Sequence, residues 1–183
     1  DRAIRHGLRP ERTGELVRPS HAYAALTDDQ MSSIIGYLRS LPPQGSVAAR
    51  PPPGLLMRAA LAGGFLKTEP TRLAQARPAI DAGPRFQAGR QLAVAACGQC
   101  HGTDLGGGPG FPGPDLTVRA AYDRTRFRTL MRTGATADGD SFGLMPRTAR
   151  SYFSHFTDGE IDAVYDYLAA RDAALSARRR PAG

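Results

Sequence analysis

Sulfur and imidazole are scarce in this chain. Its 183 residues contain two cysteines, four histidines and four methionines. A structural zinc site built on one cysteine pair takes its other ligands from a second Cys or His pair. Here no third cysteine exists, and His6, His21 and His155 stand singly. Repeated alternation of β-branched residues is also missing. That absence removes the βαβ surround a redox-active dithiol wants, and it predicts an all-helical chain. Lysine is nearly absent, since 23 of the 24 basic residues are arginine. A recognisable nucleic-acid-binding module is lacking too, so the positive charge is not read as nucleic-acid binding. No apolar run reaches the length of a bilayer span. Neither an initiating methionine nor a signal peptide is visible, and the chain is expected to be processed or trimmed from a longer one.

The two cysteines that do occur are Cys97 and Cys100, and His101 follows at once. Cys-x-x-Cys-His is the attachment motif for a c-type haem. About one helical turn separates the two sulfurs, so both reach the vinyl-derived carbons of one porphyrin. His101 then falls where its imidazole binds the iron from the proximal side. One covalent haem c is expected. With 21 glycines and 15 prolines, loops take a large share of the chain, and a bound haem supplies apolar core that the side chains do not.

Charge is unevenly placed. Residues 83–176 hold ten arginines against ten acids, so the formal charge of +7 arises from residues 1–82 and from Arg178, Arg179 and Arg180. The basic tail reads as solvated or in contact with phospholipid. Within the neutral region, Arg119, Arg124, Arg126, Arg128 and Arg132 form a local run. It reads either as a docking face for an acidic redox partner or as a solvated helix face.

An internal repeat organises the chain. Thr157-Asp158-Gly159-Glu160 reads as a capping box, followed by Ile161, Val164, Tyr165 and Leu168 on one helical face. Thr27-Asp28-Asp29-Gln30, followed by Met31, Ile34, Ile35 and Leu38, repeats it 130 positions earlier, and Tyr37-Leu38 returns as Tyr167-Leu168. Further upstream, Gly7 matches Gly134 and Pro19 matches Pro146 at a shift of 127. Nothing upstream of the first copy matches Cys97 to His101. The chain is therefore either the retained part of a longer protein or one whose first copy is a degenerate remnant.

A haem held by His101 leaves a sixth iron position. Met145 lies in Gly143-Leu144-Met145-Pro146, read as a loop ahead of the terminal helix. A thioether there favours ferrous iron and raises the reduction potential. The bland reading makes Met145 a packing residue, as Met131 is on the helical pattern Phe127, Leu130, Met131. His155 is a second candidate, although its place beside the capping box suits an exposed or capping role.

Residues 83 to about 171 resemble a class I cytochrome c. The resemblance rests on Cys97 to His101, on Gly113-Pro114-Asp115-Leu116, on the Met145-Pro146 loop and on the Tyr167-Leu168 helix. It implies an all-α class I cytochrome c fold with long loops. It also implies haem contacts from Cys97, Cys100, His101, Pro114, Leu116 and Met145, with iron ligation by His101 and Met145. In that family a proline carbonyl accepts a hydrogen bond from the axial histidine, and Pro114 is the matching position; such a bond fixes the ring orientation. The family also crosses its first and last helices, which sets Gly89 against Tyr167, where glycine permits close approach. Ala93 stands where the family often has an aromatic, so a less tight helix contact is expected.

Residues 1–41 resemble the distal half of a further cytochrome c domain without a haem-attachment motif. A Pro-rich linker with a short apolar segment follows at 42–82, then the haem-binding domain at 83–176 and the basic tail at 177–183. The whole resembles part of a two-domain cytochrome, with one haem or two in the intact protein. Arg18 stands where the second copy has Met145, and arginine only donates, so the first half is expected to carry no iron ligand, His21 being the nearest alternative. The thirteen residues from Gly54 to Leu66 are too few to cross a bilayer. They either form a short helix packed across the halves or lie on a membrane surface or partner subunit.

The resemblance implies an electron carrier rather than an enzyme. Such a carrier relays electrons from a redox enzyme such as a dehydrogenase to an oxidase or cytochrome complex in a respiratory or dehydrogenase chain. Covalent haem attachment outside the cytoplasm implies the bacterial periplasm or the periplasmic membrane face. Two other readings are a haem-carrying docking subunit of a larger oxidoreductase, and a haem enzyme or gas sensor with a displaceable sixth ligand.

Overall fold

Every regular element among the described residues is helical, as the missing β alternation predicts. The computed structural model describes residues 1–8, 20–46, 54–65, 69–108, 112–139 and 142–179. The chain divides into two units, Asp1–Ala76 and Arg77–Gly183, taken in turn below.

In the first unit, α1 (Arg2–His6) is too short to persist by propensity alone. Arg5 anchors it, through Nε to Asp1 Oδ1 at 2.9 Å and Nη2 to Asp28 Oδ1 at 3.0 Å. Gly7 closes the helix in the left-handed region at φ 61°, where glycine carries no Cβ penalty. A 3₁₀ turn at His21–Tyr23 buries His21 and Ala22. It leads to α2 (Asp28–Ser40), which opens on the expected capping box: Gln30 N donates to Thr27 Oγ1, and Thr27 N to Gln30 Oε1. Of the α2 stripe only Met31 is buried, while Tyr37 and Leu38 are exposed. The stretch read as a linker contains α3 (Leu55–Ala62) and α4 (Glu69–Ala74). No residue of α3 is buried, and Leu55 and Leu56 are more than four-fifths exposed. Arg18 and Pro19 lie outside the described residues.

The second unit is built on α5 (Gln87–His101), α6 (Arg124–Thr133), α7 (Leu144–Ser151) and α8 (Asp158–Arg179). Short 3₁₀ turns occur at Pro84–Phe86, Leu116–Ala121 and Phe153–His155. Helices α5 and α8 cross, and their shared core contains Ala93, Val94, Ile161, Val164, Tyr167 and Leu168. Gly89 permits the crossing, because a Cβ there would lie 2.0 Å from the Ala163 carbonyl oxygen. Ala93, where the family often has an aromatic, is fully buried in this contact. Tyr167 adds a tie by donating from its hydroxyl to Ile80 O at 2.9 Å.

Helix α6 begins at the Asp123 cap and ends at Gly134 in the left-handed region, φ 76°. Its apolar face, Phe127, Leu130 and Met131, is buried, and its other face meets aspartates of α8. Arg132 reaches Asp158 at 2.7 Å, Arg128 pairs with Asp162, and Arg124 pairs with Asp166. Arg119 reaches Asp172 at 3.0 Å. The arginine run is thus neutralised within the unit, not aligned as a bare cationic face. Helix α8 carries its own capping box, with Glu160 N donating to Thr157 Oγ1 and Thr157 N to Glu160 Oε2. It continues to Arg179, so Arg178 and Arg179 belong to its last turn.

Candidate functional site

The cysteine pair and His101 occupy the last turns of α5, and the chain after them folds back onto that helix end. Gly107 N donates to His101 O at 2.7 Å, Gly113 N to Cys100 O at 2.9 Å, and Leu116 N to Leu105 O at 2.9 Å. Leu105 is a non-glycine residue at positive φ, 60°. This conformation costs about 1–2 kcal/mol, and the fully buried leucine side chain offsets it by about 1.5–3 kcal/mol. Gly113 passes so close to the imidazole that a Cβ would sit 2.6 Å from His101 Cε1 and Nδ1.

His101 Nδ1 lies 2.7 Å from Pro114 O. A carbonyl accepts only, so Nδ1 carries the proton and donates, which leaves Nε2 with its lone pair. Burial holds the imidazole below its usual range, and the Pro114 carbonyl and the Asp115 carboxylate oppose that shift. A neutral ring of fixed tautomer is the form that ligates a metal.

Beside this ring is a cavity of about 520 Å³. Cys97, Cys100, His101, Pro114, Leu116 and Met145 all line it, so the structure brings together every site residue read from the sequence. Met145 is not in a loop. It is the second residue of α7, directly before Pro146. Proline is accommodated in a first helical turn because the N–H it lacks has no intrahelical partner there. Met131 lines the cavity as well and is also fully buried in the core, so it packs and faces the site at once. His155 is exposed and does not line the cavity.

The Cys97 thiol is pushed up to about 12, first by burial and then by the nearby Cys100. A redox dithiol depends on a lowered thiol pKa, the opposite of this environment. Among the described residues no three His, Cys, Asp or Glu side chains converge to hold a metal ion by themselves. Two thiols one turn apart, a neutral imidazole with Nε2 available and largely apolar walls together fit a covalently held haem.

One residue that braces the loop behind His101, without lining the cavity, has no signal of its own in the motifs. Arg171 of α8 is almost fully buried and donates from Nε to Asp104 O at 3.2 Å and from Nη1 to Asp115 Oδ1 at 3.1 Å. The signal available was its position: Arg171 falls three residues after Leu168, where the α8 stripe predicts another apolar side chain.

Residues 86–172 match the family model described as cytochrome c. No curated protein and no solved structure gave a match.

Proposed function

Residues 86–172 belong to the cytochrome c family, and on that premise we propose that the chain carries one covalent haem c with His101 and Met145 as axial ligands, and works as an electron carrier. Cys97 and Cys100 would hold the porphyrin as thioethers and Leu116 would wall it, while Pro114 O meets His101 Nδ1 and fixes the imidazole. Bound there, the haem supplies reversible one-electron exchange at its iron. The observation that carries this reading is the 2.7 Å contact of His101 Nδ1 with Pro114 O, beside a cavity to which both thiols and Met145 contribute. Met145 is preferred to Met131 as the sixth ligand because it sits half-buried on a short helix at the wall, whereas Met131 is held in the core cluster.

The carrier relays electrons between a redox enzyme such as a dehydrogenase and an oxidase or cytochrome complex, in the periplasm or at the periplasmic membrane face. No helix among the described residues is long and apolar enough to cross a membrane. The first unit is read as the distal half of a further cytochrome c domain. Its support is the recurrence there of the capping box and of the left-handed glycine cap. A second reading, a haem-carrying docking subunit, is favoured by α3, whose Leu55 and Leu56 stand exposed. Through residues 54–66 it would meet a partner subunit or a membrane surface.

The test is a reduced-minus-oxidised visible spectrum with haem quantification on the full chain, repeated for Met145→Ala and Met131→Ala. One covalent low-spin haem per chain, with the methionine-ligation band lost only in Met145→Ala, supports the carrier. A high-spin spectrum indifferent to Met145→Ala, with carbon monoxide bound by the unaltered chain, rejects it in favour of an enzyme or gas sensor.

A further inference from the structure

Arginine is costly to bury unless its charge is answered. Arg171 is 2% exposed, on the helix face that otherwise presents Ile161, Val164 and Leu168. The core shared by α5 and α8 contains the apolar and small side chains of Ala93, Val94, Ile161, Val164 and Leu168. Among the described residues, Arg171 meets the Asp104 carbonyl, Asp115 Oδ1, and Asp172 Oδ1 at 3.7 Å. Two of these belong to the stretch that folds back from His101.

Asp115 is the informative partner. Its Oδ1 also accepts from Thr117 N at 3.0 Å, capping the 3₁₀ turn that starts at Leu116. It directly follows Pro114, whose carbonyl meets His101 Nδ1. An unbroken path of contacts therefore runs from the α8 guanidinium through the Asp115 carboxylate and the Pro114 peptide to the imidazole. Groups that hydrogen-bond or charge the far side of a ligating histidine change its basicity and the potential of the metal.

We propose that Arg171 is a positioning residue which, by holding and neutralising Asp115, fixes the Pro114 carbonyl on His101 and sets the reduction potential of the bound haem. The proposal rests on the haem reading above. Removing Arg171 leaves a carboxylate uncompensated near the imidazole, which favours the ferric state. Removing the Asp115 charge leaves the cation uncompensated, which favours the ferrous state.

The experiment is a spectroelectrochemical titration of the holoprotein in four forms, unaltered, Arg171→Gln, Asp115→Asn and the double variant, with urea unfolding in parallel. Asp115→Asn retains an oxygen for Thr117 N. The expected result is a lower potential for Arg171→Gln, a higher one for Asp115→Asn, and a return toward the unaltered value in the double variant. Potentials that agree across the four forms, whatever the loss of stability, overturn the proposal, as do single variants that shift in the same direction. If Arg171→Gln does not fold, Asp115→Asn with Arg171→Lys decides. A raised potential in the first and a near-normal one in the second support the proposal, and an unmoved Asp115→Asn overturns it. An unaltered chain without covalent haem overturns the haem reading instead, visible in the spectrum before any titration.

Discussion

Arg132 at the end of α6 donates to Asp158 at the start of α8 across 2.7 Å, and the pairing recurs in the first unit as Arg5 to Asp28 at 3.0 Å. In both places the second guanidinium nitrogen is given to a backbone carbonyl, Ser154 in one and Leu26 in the other. Each arginine thus joins a short helix to the capped start of a later one. In the second unit the join extends along α6 through Arg128 and Arg124.

This ladder makes stability depend on acid. Arg132 holds the Asp158 carboxyl below the usual range, and Arg128 does the same for Asp162. The folded values are lowered, so the contribution is present in full above the ordinary aspartate value of about 3.9. It is lost as pH falls through the lowered values. Urea midpoints are expected to drop as pH falls below the ordinary aspartate value, and Asp162→Asn is expected to narrow that drop. An unchanged acid dependence in the variant would assign the effect elsewhere.

Gly89→Ala tests the helix crossing. Its Cβ would meet Ala163 backbone atoms at 2.0 and 2.6 Å, and backbone cannot swing aside as a side chain can. Overpacking of this kind costs about 1–3 kcal/mol or more. The expected loss, read from urea unfolding of the chain, is at or above the top of that range.

Gly113→Ala tests the ring contact separately from the core. The added methyl would strike His101 at 2.6 Å, so the imidazole must turn away from Pro114 O. Holoprotein from this variant is expected to show a lower haem content or an altered reduced spectrum. A haem content and a spectrum equal to those of the unaltered chain would count against the close fit.

Substitutions in the first turn of α8 are expected to act in opposite directions. Thr157→Ala removes the acceptor for Glu160 N and should cost about 1 kcal/mol. Gly159→Ala meets nothing within 4 Å and should gain about 0.4–1 kcal/mol through the unfolded chain. Thermal midpoints of the two variants should fall on either side of the unaltered protein.

What was legible in the sequence was local. The haem motif is five contiguous residues, and the two capping boxes announce α2 and α8 because both partners of each box lie within one turn. Met145 reads as a loop residue, whereas it stands in the first turn of α7, where Pro146 removes no bond. Arg171 escaped because its partner Asp115 is 56 positions away and nothing in a single stripe names it. The arginine run was ambiguous for the same reason. Asp158, Asp162 and Asp166 recur every fourth residue, but only the placement of α6 beside α8 turns that spacing into a set of partners.

The closing contact of the second unit joins its first long helix to its last, Gly89 against Ala163. On a growing chain that contact has no counterpart until α8 has been made, because Ala163 belongs to α8. Cys97 and Cys100 therefore leave the ribosome well before the fold that will enclose them is complete. Until α8 docks, the cavity that Cys97 and Cys100 line lacks the part of its wall that Leu168 supplies.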